Sequence, residues 1–440
     1  MLFIIFFTAS AYSQTEERRV ISNVIDLREC LRIGLENNFD LQIARNQELV
    51  SENNVTLGNA GYLPQVSVSS GYNLRSSNTD QIPAEGDEVV ENRNSNTQTL
   101  DAGINLNWSL FEGFRVQTNY KRLKELQSAG ELYTRLEMEN LIANLTAEYY
   151  NYVQQQIRLG NLQYAVSLSK ERLRIVEARY QVGSLSRLDL QQAKVDFNAD
   201  SSQLIQQYEI LNRSRIKLNE LMGVDVESEF IAQDTTIIFN ESLAKDELFD
   251  RTMAQNTFLQ ISESNLTLSE LELRNLRSRN YPYLRLNAGY GFTHYNYNSG
   301  NLERQRNWGP NVGLTLGYTL FDGFNRKREQ KNQQIIIRNR ELEVERDKLV
   351  IESDFANMWM AYQNNIELTN LEIESLENAT INYEIAMERY RIGDLSGLEL
   401  REAQNSLLEA EQRLLTAQYN TKLYEISLMQ ISGSITTFLQ

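Results

Sequence analysis

The side chains best placed to do chemistry cluster around one phrase that occurs twice. Asp189 follows Arg179-Tyr180-Gln181-Val182-Gly183, and Glu399 and Glu402 follow Arg389-Tyr390-Arg391-Ile392-Gly393. Glu399 and Glu402 stand three apart, so on a helix they share a face. Paired carboxylates can act as acid and base where an apolar pocket raises one pKa. A turn between two helices offers no such pocket. The chain has 1 His, His294, and 1 Cys, Cys30. No histidine pair is available to hold a metal, no intrachain disulfide framework or zinc ribbon can form, and no nucleophile can be matched with its own base apart from that one histidine. The expectation is a protein that is not an enzyme and takes no cofactor or metal.

The phrase is part of a long internal repeat. Leu110-Phe111-Glu112-Gly113-Phe114 corresponds to Leu320-Phe321-Asp322-Gly323-Phe324, and Leu218 with Gly223 to Leu428 with Gly433, all at an offset of 210. Upstream the offset is 218: Asn38, Leu41, Gln42 and Ile43 match Asn256, Leu259, Gln260 and Ile261, and Pro64 matches Pro282. The first copy therefore carries eight extra residues between the proline and the LF(E/D)GF element. The chain reads as two tandem copies, 14–230 and 231–440, far longer than the units of solenoid arrays.

Each copy opens with a helical segment, 26–60 or 244–279. A strand pair follows, about 62–112 in the first copy and 281–322 in the second. Leu100, Ala102, Ile104, Leu106, Trp108 and Leu110 alternate with polar or small residues, as do Val312, Leu314, Leu316, Tyr318 and Leu320. Such period-two alternation suits a barrel strand with one face toward lipid and one toward an aqueous lumen. Trp108, Trp308 and several tyrosines near strand ends suit the membrane interface. The polar segments Asn73–Thr99 and Asn298–Asn307 read as external loops. Long helical hairpins then span about 115–222 and 325–432, and an outgoing helix of some 68 residues would be about 100 Å long. In the second copy Phe355, Trp359, Tyr362, Ile366, Thr369, Ile373, Leu376, Thr380, Tyr383, Met387 and Tyr390 step by four and three, a heptad seam. In the first copy Gln156, Gln163, Lys170 and Glu177 interrupt the matching seam.

Composition agrees. All 4 Pro fall at positions 64, 83, 282 and 310, leaving the helical intervals free of proline. The formal charge of −16, with no basic stripe, argues against a nucleic-acid partner. Leu2–Phe7 with Ala11 and Ser13 before Gln14 resembles a secretory signal peptide over residues 1–13, although no basic residue precedes the apolar run. No cysteine follows closely enough for lipid attachment. Past residue 13 no apolar stretch approaches the length of a spanning helix, so a membrane crossing would be made by strands.

The repeated phrase specifies a helical turn. Gly183 and Gly393 suit the left-handed residue that ends a helix. Ser186 and Ser396 suit the next N-cap, with Asp189 and Glu399 completing capping boxes. Leu185 and Leu395, between the caps, would cover the open end of the seam.

Taken together these features resemble the TolC family of outer-membrane efflux proteins over essentially the whole mature chain. The resemblance implies a mainly α fold with a membrane β-barrel portion, in which four strands per chain complete a 12-stranded barrel and a helical trunk as a homotrimer. It implies an outer-membrane location with the trunk in the periplasm. The function implied is a passive duct for small molecules or polypeptides, joined through a periplasmic adaptor to an inner-membrane RND or ABC transporter. Outer-membrane lipid would surround the barrel. Asp189 and Tyr390 fall where the family has a bonded pair that latches the closed tip. Glu399 and Glu402 fall where its best-known member has constricting aspartates. Gly183, Leu185, Ser186, Gly393, Leu395 and Ser396 would form the tip that meets the adaptor, and Pro64, Gly113, Pro282 and Gly323 the barrel–trunk junction. Leu395 stands where that member has an arginine latch, leaving Arg187 or Arg391 as possible substitutes. The competing expectation is a secreted coiled-coil scaffold without a pore.

Overall fold

A computed structural model describes residues 24–82, 90–299 and 302–439; the signal-peptide segment 1–13 lies outside the described residues. The chain divides into two compact units, one of residues 46–133 and 259–347 and the other of the remainder.

The elements run β1 (Val24–Ile25), α1 (Leu27–Asn37), α2 (Phe39–Asn53), α3 (Leu57–Ala60), β2 (Gln65–Gln81), β3 (Val90–Glu112), α4 (Arg115–Gln181) and α5 (Arg187–Met222). The second copy supplies β4 (Ile231–Ala232), α6 (Lys245–Gln255), α7 (Thr257–Ser278), β5 (Tyr283–Tyr297), β6 (Arg304–Gly317), α8 (Asn325–Ile392), α9 (Gly397–Ile431) and a terminal 3₁₀ turn. The expected opening helices are each broken at a repeated asparagine. Asn38 takes the N–H of Leu41 on its side-chain oxygen at 3.0 Å and donates to the Leu221 carbonyl at 3.0 Å. Asn256 donates to the Ile431 carbonyl at 2.9 Å. Each side chain thus satisfies groups orphaned at a helix end and ties the start of its copy to the end of the returning helix.

In the sheet unit the antiparallel order is β2-β3-β5-β6, leaving β2 and β6 as edges. The register places like with like: Val66 faces Leu106, Val68 faces Ile104, Ile104 faces Tyr290, and Leu286 faces both Trp108 and Leu314. Alternate positions on β2 from Val66 to Leu74, apolar except Ser70, share one face over about 26 Å of strand at 3.3 Å per residue. The opposite face carries Asn105, which donates to Ser69 at 3.1 Å, together with Asp101, Asn287 and Asn311. Gly103, Gly291 and Gly309 stand side by side on that polar face.

Two expectations change here. Asn73–Thr99 is not simply a loop: its described residues are mostly strand, with Asn73 paired to Thr99 and Ser77 to Ser95, because polar side chains do not prevent a backbone ladder from continuing. Conversely β6 stops at Gly317, so Tyr318 and Leu320 lie beyond the strand.

The helical unit has its main core where α1, α4, α5 and the 3₁₀ turn meet, around Leu31, Leu145, Tyr149, Leu218 and Ile435. A parallel bridge pairs Val24–Ile25 with Ile231–Ala232. In the second copy Phe355, Trp359, Tyr362, Thr369, Tyr383, Met387 and Tyr390 are buried as the heptad reading requires, whereas Ile373 is 50% exposed. In the first copy the seam runs instead through Ala165, Ser169, Arg172 and Val176, all buried. The four-three spacing survives, shifted and partly polar.

At the foot of the sheet Gly113 and Phe114 are both left-handed, φ +59° and +68°, as are Gly323 and Phe324 at +69° and +65°. A Cβ at Gly113 would collide with the Ser278 carbonyl oxygen, whereas one at Gly323 would meet only the Asn325 amide at 3.5 Å. Gly323→Ala should therefore cost only the backbone penalty, about 1–2 kcal/mol, and Gly113→Ala should prevent a stable fold. Thermal melting of the two detergent-solubilised variants checks the contrast, and equal losses would contradict it.

Candidate functional site

The hairpin ends α4–α5 and α8–α9 pack against each other in the helical unit through Val176, Leu190, Ala193, Tyr383, Met387, Tyr390, Leu400, Ala403 and Leu407. Both turns are built by the repeated phrase. Gly183 and Gly393 are left-handed, φ +78° and +88°. Ser184 N–H reaches back to the Arg179 carbonyl at 2.9 Å and Asp394 N–H to the Arg389 carbonyl at 2.9 Å, closing the carbonyl end of each outgoing helix. Ser186 Oγ accepts from the Asp189 amide at 3.3 Å and donates to its carboxylate at 2.7 Å, while that carboxylate also takes the Ser186 N–H at 3.0 Å. Ser396 and Glu399 repeat the arrangement at 3.2, 2.7 and 3.0 Å. Leu185 and Leu395 are half-buried beneath the turns.

These caps alter the expected latch. The Asp189 carboxylate is engaged by Ser186, and among the described residues it makes no hydrogen bond to Tyr390. The two side chains both line a cleft of about 740 Å³ between the hairpins. Tyr390 is buried, which pushes its phenol above the ordinary range. Its ring carries the Arg179 guanidinium at 5.3 Å. Glu399 and Glu402 are exposed, Glu399 held in its cap.

The bridge between copies comes from a residue that sequence reasoning passed over. Arg179 donates to the carbonyls of Tyr390 at 3.1 Å and Arg391 at 2.9 Å, placing a cation on the C-terminal end of α8. Its counterpart Arg389 closes its own turn on Asp394 at 3.0 Å. Among the described residues neither Arg187 nor Arg391 makes a side-chain ion pair, whereas Arg179 joins the two hairpins through the carbonyls of Tyr390 and Arg391.

Deeper in, the Arg401 guanidinium holds Asp200 with two bonds of 2.7 Å. Ser169 also donates to Asp200, and Gln404 donates to Ser169 at 3.2 Å. Arg172 donates to Asp196 at 2.6 Å. The Arg172 and Asp200 side chains are 3% and 2% exposed, so a charge left there with no partner at all would cost about 3–5 kcal/mol. Burial lowers the Arg172 pKa, opposed by Asp196 and Asp200. The sequence held one clue. Ala193, Asp200, Gln207 and Ser214 recur every seven residues and all are buried, a seam position filled mostly by polar side chains.

Comparison with known proteins accords with this architecture. The family profile described as "Outer membrane efflux protein" matches residues 31–224 and 248–434. The chain belongs to that family. The outer membrane protein TolC of Vibrio cholerae is 22% identical over 419 residues, covering 93% of this chain and 91% of the relative. The pyoverdine export outer membrane protein OpmQ of Pseudomonas putida is 21% identical, covering 93% of this chain and 86% of the relative. The CmeC outer membrane channel of Campylobacter jejuni superposes with a TM-score of 0.77 at 18% identity over 99% of this chain and 94% of that one. This family member is thus an outer-membrane efflux channel with the TolC-type fold of two tandem repeats, passive and not an enzyme.

Hydrogen bonds from Ser186 and Ser396 hold Asp189 and Glu399 below the usual carboxylate range. Because these pKa values are depressed on folding, the caps should be fully formed above the ordinary carboxylate range and lost as pH falls through the lowered values, below about pH 4. Amide hydrogen exchange around 186–190 and 396–400, followed from pH 7 to 3, checks this; loss of protection already at pH 6 would contradict it. Arg179→Met should speed exchange of the Gly393 and Asp394 amides, since it frees two carbonyls at the end of α8. Arg389→Met should act on the second turn without loosening the first.

Proposed function

We propose that three copies of this chain form the outer-membrane duct of a tripartite exporter, with twelve strands in the membrane and the helical hairpins forming a trunk in the periplasm. The observation that carries this reading is the four-stranded sheet with one apolar face, one polar face and two free edges. Four strands cannot enclose a pore, since the smallest membrane barrels use eight. Pro64, Gly113, Pro282 and Gly323, where strands give way to helices, form the junction between barrel and trunk.

The hairpin ends are the docking surface for a periplasmic adaptor, which couples the duct to an inner-membrane RND or ABC transporter. Val182, Leu188, Ile392 and Leu398 support this, being 79%, 77%, 80% and 77% exposed and placed symmetrically in the two copies. They stand beside Gly183, Leu185, Ser186, Gly393, Leu395 and Ser396. Exposed apolar groups clustered at a tip are characteristic of a contact site. Asp189, Tyr390, Glu399 and Glu402 form the resting gate, with Glu399 and Glu402 facing the entrance as a ring of six carboxylates in the trimer. The cargo is a small molecule or a polypeptide selected by the pump. OpmQ, named for pyoverdine export, is consistent with the small-molecule case.

Purified protein should conduct in planar bilayers, with cations preferred over anions. Glu399→Gln with Glu402→Gln should weaken that preference, and an unchanged reversal potential in a salt gradient would remove the two residues from the gate. Ile392→Asp or Leu398→Asp should abolish adaptor-dependent export in cells while leaving conductance in bilayers intact. Export at the parental level would place the docking surface elsewhere.

A further inference from the structure

The four buried charges behind the tip are unequally partnered. Arg401, on α9 of the second hairpin, spends both terminal nitrogens on Asp200 of α5, in the first hairpin. Arg172, on α4 of the first hairpin, uses one terminal nitrogen on Asp196. Its Nε and other terminal nitrogen are buried and have no hydrogen-bond partner. Asp196 and Asp200 are one helical turn apart on α5 and so share a face. Ser169, on the same helix as Arg172, already bonds Asp200 and holds that carboxylate against α4.

Two arginines therefore stand beside two aspartates, with both terminal nitrogens of Arg401 bonded and only one nitrogen of Arg172. Buried donors are seldom left without partners. An idle donor pair is stable only if the competing arrangement satisfies more groups. Here that competing arrangement is the cross-hairpin pair, which gives Asp200 a bidentate partner.

We propose that this cluster is an ion-pair exchange built into the tip. With the hairpins together, Arg401 holds Asp200 across the gap and Arg172 makes do with Asp196. When the second hairpin moves away, Arg401 leaves with it and Arg172 turns its two idle N–H groups onto Asp200, spanning both aspartates from within the first hairpin. No buried carboxylate is then stranded at any stage. Arg401 is the latch between hairpins and Arg172 is the positioning residue that makes release reversible. This assignment rests on the reading of the hairpin ends as a gate. It adds the residues that set the balance between closed and open, none of which occupies the positions of Asp189, Tyr390, Glu399 or Glu402.

The test is bilayer recording with a cryo-EM structure of the Arg401→Met channel. Its open probability should rise roughly tenfold or more, and Asp200 should lie within hydrogen-bond distance of Arg172 Nε or its second terminal nitrogen. Arg401→Lys, which keeps the charge and loses the fork, should give a smaller rise and serves where the methionine variant does not assemble. Arg172→Met should lower the open probability, and in the Arg172→Met background the gain from Arg401→Met should shrink. A conducting channel whose open probability is unchanged by either Arg401 variant would overturn the exchange, as would Asp200 turned to solvent with Arg172 still on Asp196 alone. A protein that forms no channel at all would instead reject the duct reading beneath it.

Discussion

A lipid-facing sheet cannot leave its edges unpaired. Backbone N–H and C=O groups that meet hydrocarbon without partners cost several kcal/mol each, and the order β2-β3-β5-β6 exposes one such row on β2 and another on β6. The outward residues of these strands, Val66, Val68, Tyr72, Val312, Leu314 and Leu316, are suited to lipid and exposed in the single chain. Completion by other copies meets the requirement. The alternation along each strand follows from the same condition, since closure makes one face lumen and the other lipid. It also accounts for where small residues fall: the strand glycines at 71, 103, 289, 291, 309, 313 and 317 all share the register of the polar face.

The helical unit works under a softer constraint, because its alternatives to burial are solvated. A bundle of helices joined by tight turns can tolerate polar seams provided each polar group finds a partner. Gln207 finds the Gln155 side chain at 2.9 Å, Ser214 finds Glu148 at 2.6 Å, and Asp200 finds Arg401. Duplication produced two hairpins of one plan, which have since diverged in these partners. At the offset of 210, Asp200 corresponds to Ala410 and Arg401 to Gln191. Each member of the cross-hairpin pair therefore lacks a counterpart in the other copy. The repeated arginine of the tip behaves likewise, Arg179 bridging copies and Arg389 serving its own turn.

Much of this was legible in the sequence where local chemistry decides the outcome. Gly183 and Gly393 as helix stops, Ser186 and Ser396 as caps with acidic third positions, and the period-two strands all depend on nearest neighbours. What hydrophobicity concealed was the first copy's seam, because its buried positions are occupied by Ser169 and Arg172, with Asp200 opposite. A reading that seeks apolar residues passes over these and settles on a shifted register. The same bias treated Asn73–Thr99 as loop, although a ladder needs only backbone groups. The Tyr390 and Asp189 pair came from resemblance alone, and the Ser186 box supplies the physical reason that Asp189 is engaged elsewhere.

The most direct test of the account is a cryo-EM reconstruction of the protein in lipid nanodiscs, read at the sheet edges. The account predicts three chains, with β6 of each hydrogen-bonded to β2 of the next so that twelve strands close around a polar lumen. A particle with a different number of chains, or with β2 and β6 left unpaired against lipid, would contradict it.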